Sequence, residues 1–438
     1  MLLRTMAVAA IAMMLPALPA KANGRFPEAS QFVVSPGNPS AWVLRTTFGL
    51  VLSRDAGSHW DWACEKAVGY SGLQDPAIAV VSNDTILAGL FTGVSTAPAP
   101  WCNWSFAPGG IENKVIIDVS TRPNVPSSAV ALTSHYVSET EAGSLFFNQV
   151  FETLDHGATW SNLGVSLPST FISETVEVAK SDPARLYVSG TRLTAAGYAG
   201  VLHTSRNSGA SWDETLISLS GAEKAPFVSG VDPKNADIVY LRTSGDVNNR
   251  LLISTDGGRT LRDAYRSEGP LRGFALSSDG ATVFVGGPKD GLLTATRDNL
   301  QFQKVRDLEV QCLTWLGTDL FACSSEASGF ELGVSSDQGK TFTTKLHFSD
   351  IRGPIACDAD ASSQACAADW PAMRDRLVAP PGAEPESDAG TAPPAPGGGC
   401  HCQHVSPHAS LWQRSWWHGL FVSLLALLWA RRRVKRSA

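Results

Sequence analysis

The sequence predicts an all-β chain folded as a seven-bladed β-propeller with a signal peptide before it, and a C-terminal linker and an apolar tail helix after it. One eight-residue pattern recurs along the body of the chain at intervals of 40 to 56 residues. Each copy lies between two short β-like runs, which is typical of a strand–turn–strand corner. No segment has a long 3.6-residue apolar period, so little helix is expected.

The repeated pattern has five good copies: "SRDAGSHW", "TLDHGATW", "SRNSGASW", "STDGGRTL" and "SSDQGKTF". An acid or amide at the third position can accept hydrogen bonds from N–H groups of its own turn, and Gly at the fifth supplies a positive φ. An apolar residue at the eighth position starts the next strand. The pattern therefore predicts structural turn residues at Ser53, Asp55, Gly57, Trp60, Asp155, Gly157, Trp160, Asn207, Gly209, Trp212, Asp256, Gly258, Asp337, Gly339 and Phe342.

Two weaker copies, "GVSTAPAPWCNW" and "GLLTATRDNLQF", fill the gaps between the good ones. Seven units of this length, each divisible into four short strands, match the blades of a propeller. A pair of β-sandwiches is the alternative layout, although sandwiches do not require such a repeat. The chain begins with an innermost strand and ends with an outermost one, so no strand is expected to cross the seam, and closure is expected from blade packing and bridges.

The octapeptides resemble the Asp box, or BNR repeat, of sialidases, sortilin-type receptors, xyloglucanases and the photosystem II assembly factor family. The resemblance covers roughly residues 25–357. It implies a propeller in which the box residues are structural and lie at the periphery of the blades. It implies no activity, because the box carries no reactive chemistry in these families.

The two ends of the chain predict export. Residues 1–22 have a basic start, an apolar stretch and a small-x-small site, as a signal peptide does, although an N-terminal helix of the mature protein is the alternative. Residues 23–356 form the predicted propeller, and residues 357–378 a disulfide-closed cap with a short helix beginning after Asp369. Residues 379–399, with six Pro and five Gly, are expected to form an extended stalk.

Residues 400–438 resemble the myxobacterial C-terminal sorting signal: "GGGCHC", then an apolar segment, then "ARRRVKR". This resemblance implies processing and lipid anchoring at Cys400 or Cys402. It also implies a membrane partner and a place at the cell surface or outer membrane of a Gram-negative bacterium, anchored or released after processing. The mixture of Cys and His in this tail does not have the spacing of a zinc module, so no metal and no cofactor are expected.

Six further cysteines in an exported chain predict three disulfides. Cys312 and Cys323 lie on neighbouring predicted strands, Cys64 and Cys102 can join the first two blades, and Cys357 and Cys366 can close a small loop. Fifteen pairings are possible, so these three are hypotheses.

The composition excludes some partners. The net charge is −6 and basic residues are scattered, so no nucleic-acid partner is expected. We also expect the protein to be a monomer. The short motifs of metalloproteases, serine hydrolases and phosphate-binding loops do not occur, and neither does the arginine motif that opens sialidases. Carboxylates such as Glu65, Asp75 and Glu174 can line a mouth of the ring, but solvated surface acids are the simpler interpretation.

The expected function is therefore a non-catalytic propeller that binds a glycan or protein through one face. A glycoside hydrolase, sialidase-like or related, is the alternative, and an assembly or scaffolding role is another. Two carboxyl groups converging on the axis would favour the hydrolase.

Overall fold

The computed structural model describes residues 26–378 except 73, 123, 141–142, 196 and 360. The strands form seven antiparallel sheets of four strands each, consecutive in sequence, and the first sheet gains a fifth strand. The first strand of every sheet contacts the first strands of both neighbouring sheets, and the seventh sheet contacts the first. The sheets are therefore blades of a closed seven-membered ring around a central channel, as the sequence predicted.

The first strand of each blade lines the channel, and the second pairs with its outer side. The first strands are β1 (Ala29–Val34), β5 (Ala77–Val80), β9 (Ile116–Thr121), β13 (Phe171–Val178), β17 (Pro226–Val231), β21 (Gly273–Leu276) and β25 (Cys312–Leu316). The second strands are β2 (Trp42–Thr46), β6 (Ile86–Leu90), β10 (Ala129–Thr140), β14 (Leu186–Thr194), β18 (Val239–Thr243), β22 (Thr282–Gly287) and β26 (Asp319–Cys323).

The third and fourth strands complete each blade toward the outside. The third strands are β3 (Gly49–Ser53), β7 (Gly93–Ala97), β11 (Gly143–Thr153), β15 (Gly197–Ser205), β19 (Arg250–Ser254), β23 (Gly291–Thr296) and β27 (Leu332–Ser335). The fourth strands are β4 (Trp60–Ala63), β8 (Ser105–Phe106), β12 (Ser161–Asn162), β16 (Asp213–Ile217), β20 (Arg262–Arg266), β24 (Gln303–Arg306) and β28 (Thr343–Leu346).

This up-and-down order gives the ring two different faces. The hairpins between second and third strands lie on the face where the first strands begin, which we call the hairpin face. The five octapeptides connect third to fourth strands on the opposite face, which we call the turn face. The weaker copies also connect third to fourth strands, between β7 and β8 and between β23 and β24.

The five octapeptide turns share one set of hydrogen bonds. In the fourth octapeptide, which lies in the fifth blade, Ser254 Oγ donates to Asp256 Oδ1 at 2.8 Å and accepts from Gly258 N at 2.8 Å. Asp256 Oδ1 also accepts from Thr260 N at 2.9 Å. The hydrogen bonds from the Thr260 side chain and backbone lower the pKa of Asp256 to about 2. The same first-to-third and fifth-to-first bonds recur in the turns that begin at Ser53, Thr153, Ser205 and Ser335.

The turn glycine also fixes the distance between blades. Gly157 has a φ of 89°, and a Cβ built on it would lie 2.5 Å from Leu87 Cδ2 of the preceding blade. Gly339 has a φ of 90°, and its Cβ would lie 2.4 Å from Leu292 Cδ2, again of the preceding blade. Glycine is therefore required both for the backbone conformation and for the close packing of one blade on the next.

The seam differs from the prediction. After the seventh blade the chain forms β29 (Ile351–Pro354), which pairs in parallel with β4 of the first blade. Arg352 makes a bidentate ion pair with Asp61 of β4, with Nη2 2.8 Å from Oδ1 and 2.9 Å from Oδ2. The ring is therefore closed by a strand added to the outer edge of the first blade, where blade packing and bridges alone were expected.

Two of the three predicted disulfide pairings are wrong. Cys64 pairs with Cys366 and Cys102 with Cys357, so both bridges join the segment after the last blade to the first two blades. The expected small loop is not formed because the cap residues fold back across the seam. The pairing of Cys312 with Cys323 is confirmed, and these residues lie opposite each other on β25 and β26.

The short helices lie at the same seam. The predicted cap helix is confirmed as α2 (Trp370–Leu377), but Asp369 makes no side-chain cap and instead pairs with Lys66 Nζ at 2.7 Å. Its Trp370 ring lies 5.6 Å from the Trp62 ring, so the helix packs on the first blade. A second short helix, α1 (Glu65–Val68), was not predicted. Within the described residues, no helix has the length and apolar character needed to cross a bilayer.

The turn glycine gives one prediction. We expect Gly157→Ala to destabilise the protein by about 2–4 kcal/mol, because it combines an unfavourable φ with a clash against Leu87. Gly317→Ala is the matched control, since Gly317 has a φ of 62° but no neighbour within 4 Å of its Cβ position, and it should cost about 1 kcal/mol. Urea unfolding measures both, and equal losses would refute the packing role.

The seam bridges give a second prediction. Replacing Cys64, Cys366, Cys102 and Cys357 by Ser should reduce stability more than replacing Cys312 and Cys323, because the seam bridges span 302 and 255 residues and the other spans 11. A disulfide that closes a longer loop removes more entropy from the unfolded chain. Each seam bridge should therefore contribute roughly 2–3 kcal/mol more stability than the Cys312–Cys323 bridge. Amide hydrogen exchange in β29 and β4 should increase in the seam variant. Unchanged exchange in these strands would contradict this role in closure.

Candidate functional site

The predicted turn residues do not form a common site. The carboxyl or amide groups of Asp55, Asp155, Asn207, Asp256 and Asp337 lie in five different blades on the turn face, each bonded within its own turn. Their Oδ1 atoms accept the N–H of the residue four positions later at 2.8–2.9 Å. These groups stabilise turns and have no shared cavity in which to act on a ligand.

The central channel carries the strongest concentration of perturbed acids. Asp118 lies on β9, and Glu174 and Glu177 lie on β13 of the next blade, so all three come from channel-lining strands. Each is partly accessible to solvent through the channel while protein surrounds it. Burial raises the pKa of Asp118 to about 6 and that of Glu174 to about 7. Burial and the charge of Asp118 raise the pKa of Glu177 to about 8.

Asp118 and Glu177 form a linked pair between two blades. Asp118 Oδ2 accepts the N–H of Val176 at 2.9 Å, and its Oδ1 accepts the N–H of Val119 at 2.9 Å. Ser120 Oγ donates to Glu177 Oε2 at 3.3 Å. Asp118 therefore joins the third blade to the fourth through the backbone, and both carboxyl groups face the channel with different proton affinities.

Glu174 is the acid that the sequence interpretation misjudged. It was expected to be a solvated surface acid, as were Glu65 and Asp75. It lies at a bulge of β13, between Ser173 and Thr175, where burial is the cause of its raised pKa. Glu65 begins α1 after the fourth strand of the first blade, and Asp75 lies directly before the channel-lining strand β5. The three acids therefore belong to three different segments.

Arginines occupy the channel mouth on the hairpin face. Arg45 lies near the end of β2, Arg242 near the end of β18, and Arg272 directly before β21. Arg242 Nη1 donates to the carbonyl of Leu271, next to Arg272, at 3.3 Å. Burial, and then the charges of Arg45 and Arg272, lower the pKa of Arg242 to about 10. Arg45 and Arg272 are thus close enough to Arg242 for their charges to destabilise its cation.

The hairpin face also carries exposed aromatic side chains. The second and third strands of blades three and four, β10–β11 and β14–β15, extend past the starts of their first strands. The two hairpins touch, since a Cβ on Gly143 would lie 3.2 Å from Leu193 Cδ2. We call the exposed apolar residues of these hairpins the aromatic ledge: Tyr136, Val137, Phe147, Leu193 and Tyr198.

The sequence contains patterns that could have indicated the channel acids and the mouth arginines. Asp118, Glu174 and Glu177 interrupt the apolar runs "VIIDVST" and "FISETVEVA", and a carboxyl inside such a run has to be satisfied or protonated. Arg45 and Arg242 stand at the same place in the two copies of "LRT". The aromatic ledge had no signal of its own, because hairpin length depends on register, which the turn pattern does not specify.

Cys400 and Cys402, with the signal peptide, the stalk and the tail, lie outside the described residues. Among the residues that the structure describes, no group of three or more His, Cys, Asp and Glu side chains is placed to hold a metal ion.

Comparisons with known proteins support the fold. No family model and no curated protein matches the chain. An ancestral GH74 enzyme of known structure aligns with a TM-score of 0.53 and 14% identity over 74% of this chain. The alignment covers 47% of that enzyme, so the chain spans about half its length. Hydrazine synthase from Kuenenia stuttgartiensis aligns with a TM-score of 0.49 and 10% identity, over 73% of this chain and 98% of that one. At 14% identity, the alignment with the GH74 enzyme supports the propeller fold alone. The alignment with hydrazine synthase has a TM-score below 0.5 and supports no further conclusion.

The channel acids predict a pH dependence. A carboxyl whose pKa rises from 4.5 when unfolded to about 8 when folded, as for Glu177, binds more protons in the native state, so stability falls as pH rises between these values. Glu177→Gln should remove part of this fall and be more stable than the unchanged protein at pH 9 by about 1–3 kcal/mol, with little difference at pH 4.

Urea unfolding across this range measures the effect. Glu112→Gln, at an exposed surface position, is the control and should follow the unchanged protein at every pH. A Glu177→Gln profile that runs parallel to that of the control would show that Glu177 is not a strained buried carboxyl.

Proposed function

We propose that the protein is an exported, non-catalytic propeller that binds a glycan through its hairpin face. The observation that carries the proposal is the aromatic ledge beside a polar channel mouth. Tyr136 and Tyr198 are 49% and 51% exposed, and Phe147 is 39% exposed, on two hairpins that project past their blades. Exposed apolar clusters of this kind mark interaction sites on soluble proteins.

The chemistry of the face favours a glycan over other partners. A sugar ring has apolar C–H faces that pack on aromatic rings, and hydroxyl groups that pair with charged side chains. The ledge supplies the rings, while the channel mouth beside it supplies arginine and carboxyl groups. A pocket that combines aromatic walls with a few polar groups is the usual form of a small-molecule site.

Export and surface anchoring are part of the proposal. Three disulfides among the described residues are typical of proteins that fold in an oxidising compartment. The predicted signal peptide, stalk and sorting tail are consistent with export followed by display on a membrane. The membrane would then be reached through residues 400–438, with the ring held away from it by the stalk.

A glycoside hydrolase is the second candidate, and one observation favours it. Asp118 and Glu177 face the same channel with pKa values of about 6 and about 8, so at neutral pH one is largely ionised and the other largely protonated. Paired carboxyl groups with separated proton affinities are the machinery of glycoside hydrolysis. Against this role, both oxygens of Asp118 already accept backbone N–H groups that join two blades.

The proposal is tested by glycan binding. On a glycan array followed by calorimetry, the double variant Tyr136→Ala/Tyr198→Ala should bind its best glycan at least 10-fold more weakly, because each stacked aromatic contributes about 1 kcal/mol. Leu154→Ala removes an equally exposed residue, 59% accessible, from the turn face, and should change nothing.

The same incubations distinguish the candidates. Release of a shorter sugar, lost in Asp118→Asn, would replace the binding role with the hydrolase. The proposed site would be refuted if no glycan on the array binds, or if the two tyrosine substitutions leave binding unchanged. The partner to seek would then be a protein that binds the aromatic ledge.

A further inference from the structure

We propose that the channel mouth holds a carboxylate-binding site centred on Arg242, so that the ligand of the hairpin face is an acidic sugar. This inference rests on the proposed glycan-binding function and names the class of glycan. It follows from the placement of Arg242, from what its side chain contacts, and from how the other deeply placed arginines of the ring are paired.

Three other deeply placed arginines of the described chain each lie beside a carboxylate. Arg185, with a side chain 10% exposed, lies 2.6 Å from Asp237, and Arg250, 13% exposed, lies 2.7 Å from Glu223. Arg122, 12% exposed, lies 2.9 Å from Glu152. Each has a carboxylate partner, as expected when a charge leaves bulk water.

Arg242 has no such partner among the described residues. Its guanidinium lies 5.0 Å from the centre of the Phe227 ring, and one N–H donates to the carbonyl of Leu271. A guanidinium has five N–H donors in a planar fork, so most of its donors have no acceptor in the described part of the chain. Phe227, opposite Arg242 on the channel-lining strand β17, supports the plane of the fork from one side.

The neighbouring arginines make the mouth attractive to an anion. Arg45 is held by Ser30 Oγ at 3.0 Å and by the carbonyl of Pro76 at 3.1 Å, and its charge acts on Asp118 deeper in the channel. Arg272 donates to Gln311 and lies 3.5 Å from Glu28. These contacts hold both side chains near Arg242, and the charges of Arg45 and Arg272 destabilise its cation.

The arrangement around the ring matches an acidic sugar. Arg242, Arg272, Gln311 and Arg45 come from blades five, six, seven and one, which are consecutive around the ring. The aromatic ledge comes from blades three and four on the other side of the mouth. A ligand across the mouth would therefore meet aromatic rings on one side and a planar cation on the other, and carboxylate is the anion that a guanidinium fork binds in a bidentate manner.

The test uses a matched pair of ligands, trigalacturonate and its fully methyl-esterified form, which differ in the carboxylate charges. The unchanged protein should bind the acid at least 10-fold more tightly than the ester by calorimetry, and this preference should fall as NaCl is raised. Arg242→Gln should weaken binding of the acid by about 10–100-fold, the usual value of a charge-assisted hydrogen bond, and leave binding of the ester within 2-fold.

Two further variants make the result specific. Arg242→Lys keeps the charge without the fork and should retain an intermediate preference for the acid. Arg259→Gln removes the same charge from a turn-face residue whose side chain donates to its own turn at Asp256 O, and should leave binding of both ligands unchanged. Thermal unfolding of each variant shows that the ring is intact.

An acid that binds no more tightly than the ester, including the case where neither binds, overturns the inference. So does equal weakening of both ligands by Arg242→Gln. If neutral glycans still bind and Tyr136→Ala/Tyr198→Ala still abolishes that binding, the proposed function stands without the carboxylate site, so the two failures are distinguishable.

Discussion

The fold depends on a carboxyl or amide group that accepts backbone N–H groups at each octapeptide corner. In these turns a hydroxyl, such as that of Ser254, lies between Asp256 and the N–H of Gly258. The hydrogen bonds hold the backbone in the positive-φ conformation that glycine tolerates, and glycine in turn lets the preceding blade pack closely. A local bond pattern is thereby converted into a fixed spacing between blades, and the repetition of that spacing produces a ring.

This dependence explains which parts of the architecture could be predicted from the sequence. A turn is local, so its residues and the number of blades could be predicted from the sequence. The seam could not, because β29 pairs in parallel with β4 across nearly the whole chain, and its short sequence "IRGP" has no strand signal of its own. The pairing of Cys64 and Cys102 with the cap followed from that crossing and was missed for the same reason.

The channel shows a different limit of sequence reading. Asp118, Glu177 and Arg242 lie on strands whose neighbours in space come from other blades. Whether such a charged side chain is paired, protonated or open to a ligand depends on groups tens to hundreds of residues away. The ring concentrates charges of both signs near its axis: arginines at the mouth and carboxyl groups below them, with the surrounding protein raising the proton affinity of the acids. The octapeptides, at the opposite face, carry no information about this arrangement.

The strand that closes the ring also sets an order of events for the chain as it is synthesised from its N-terminus. β4 is available early, but the strand that pairs with its outer edge is encoded 291 residues later, and the cysteines that join Cys64 and Cys102 come later still. Until then the first blade presents an unpaired edge, which is a template for association with other chains. The ring is therefore completed only after residues 351–366 have been made, and a chain that stops before them would be left as an open arc without its covalent closure.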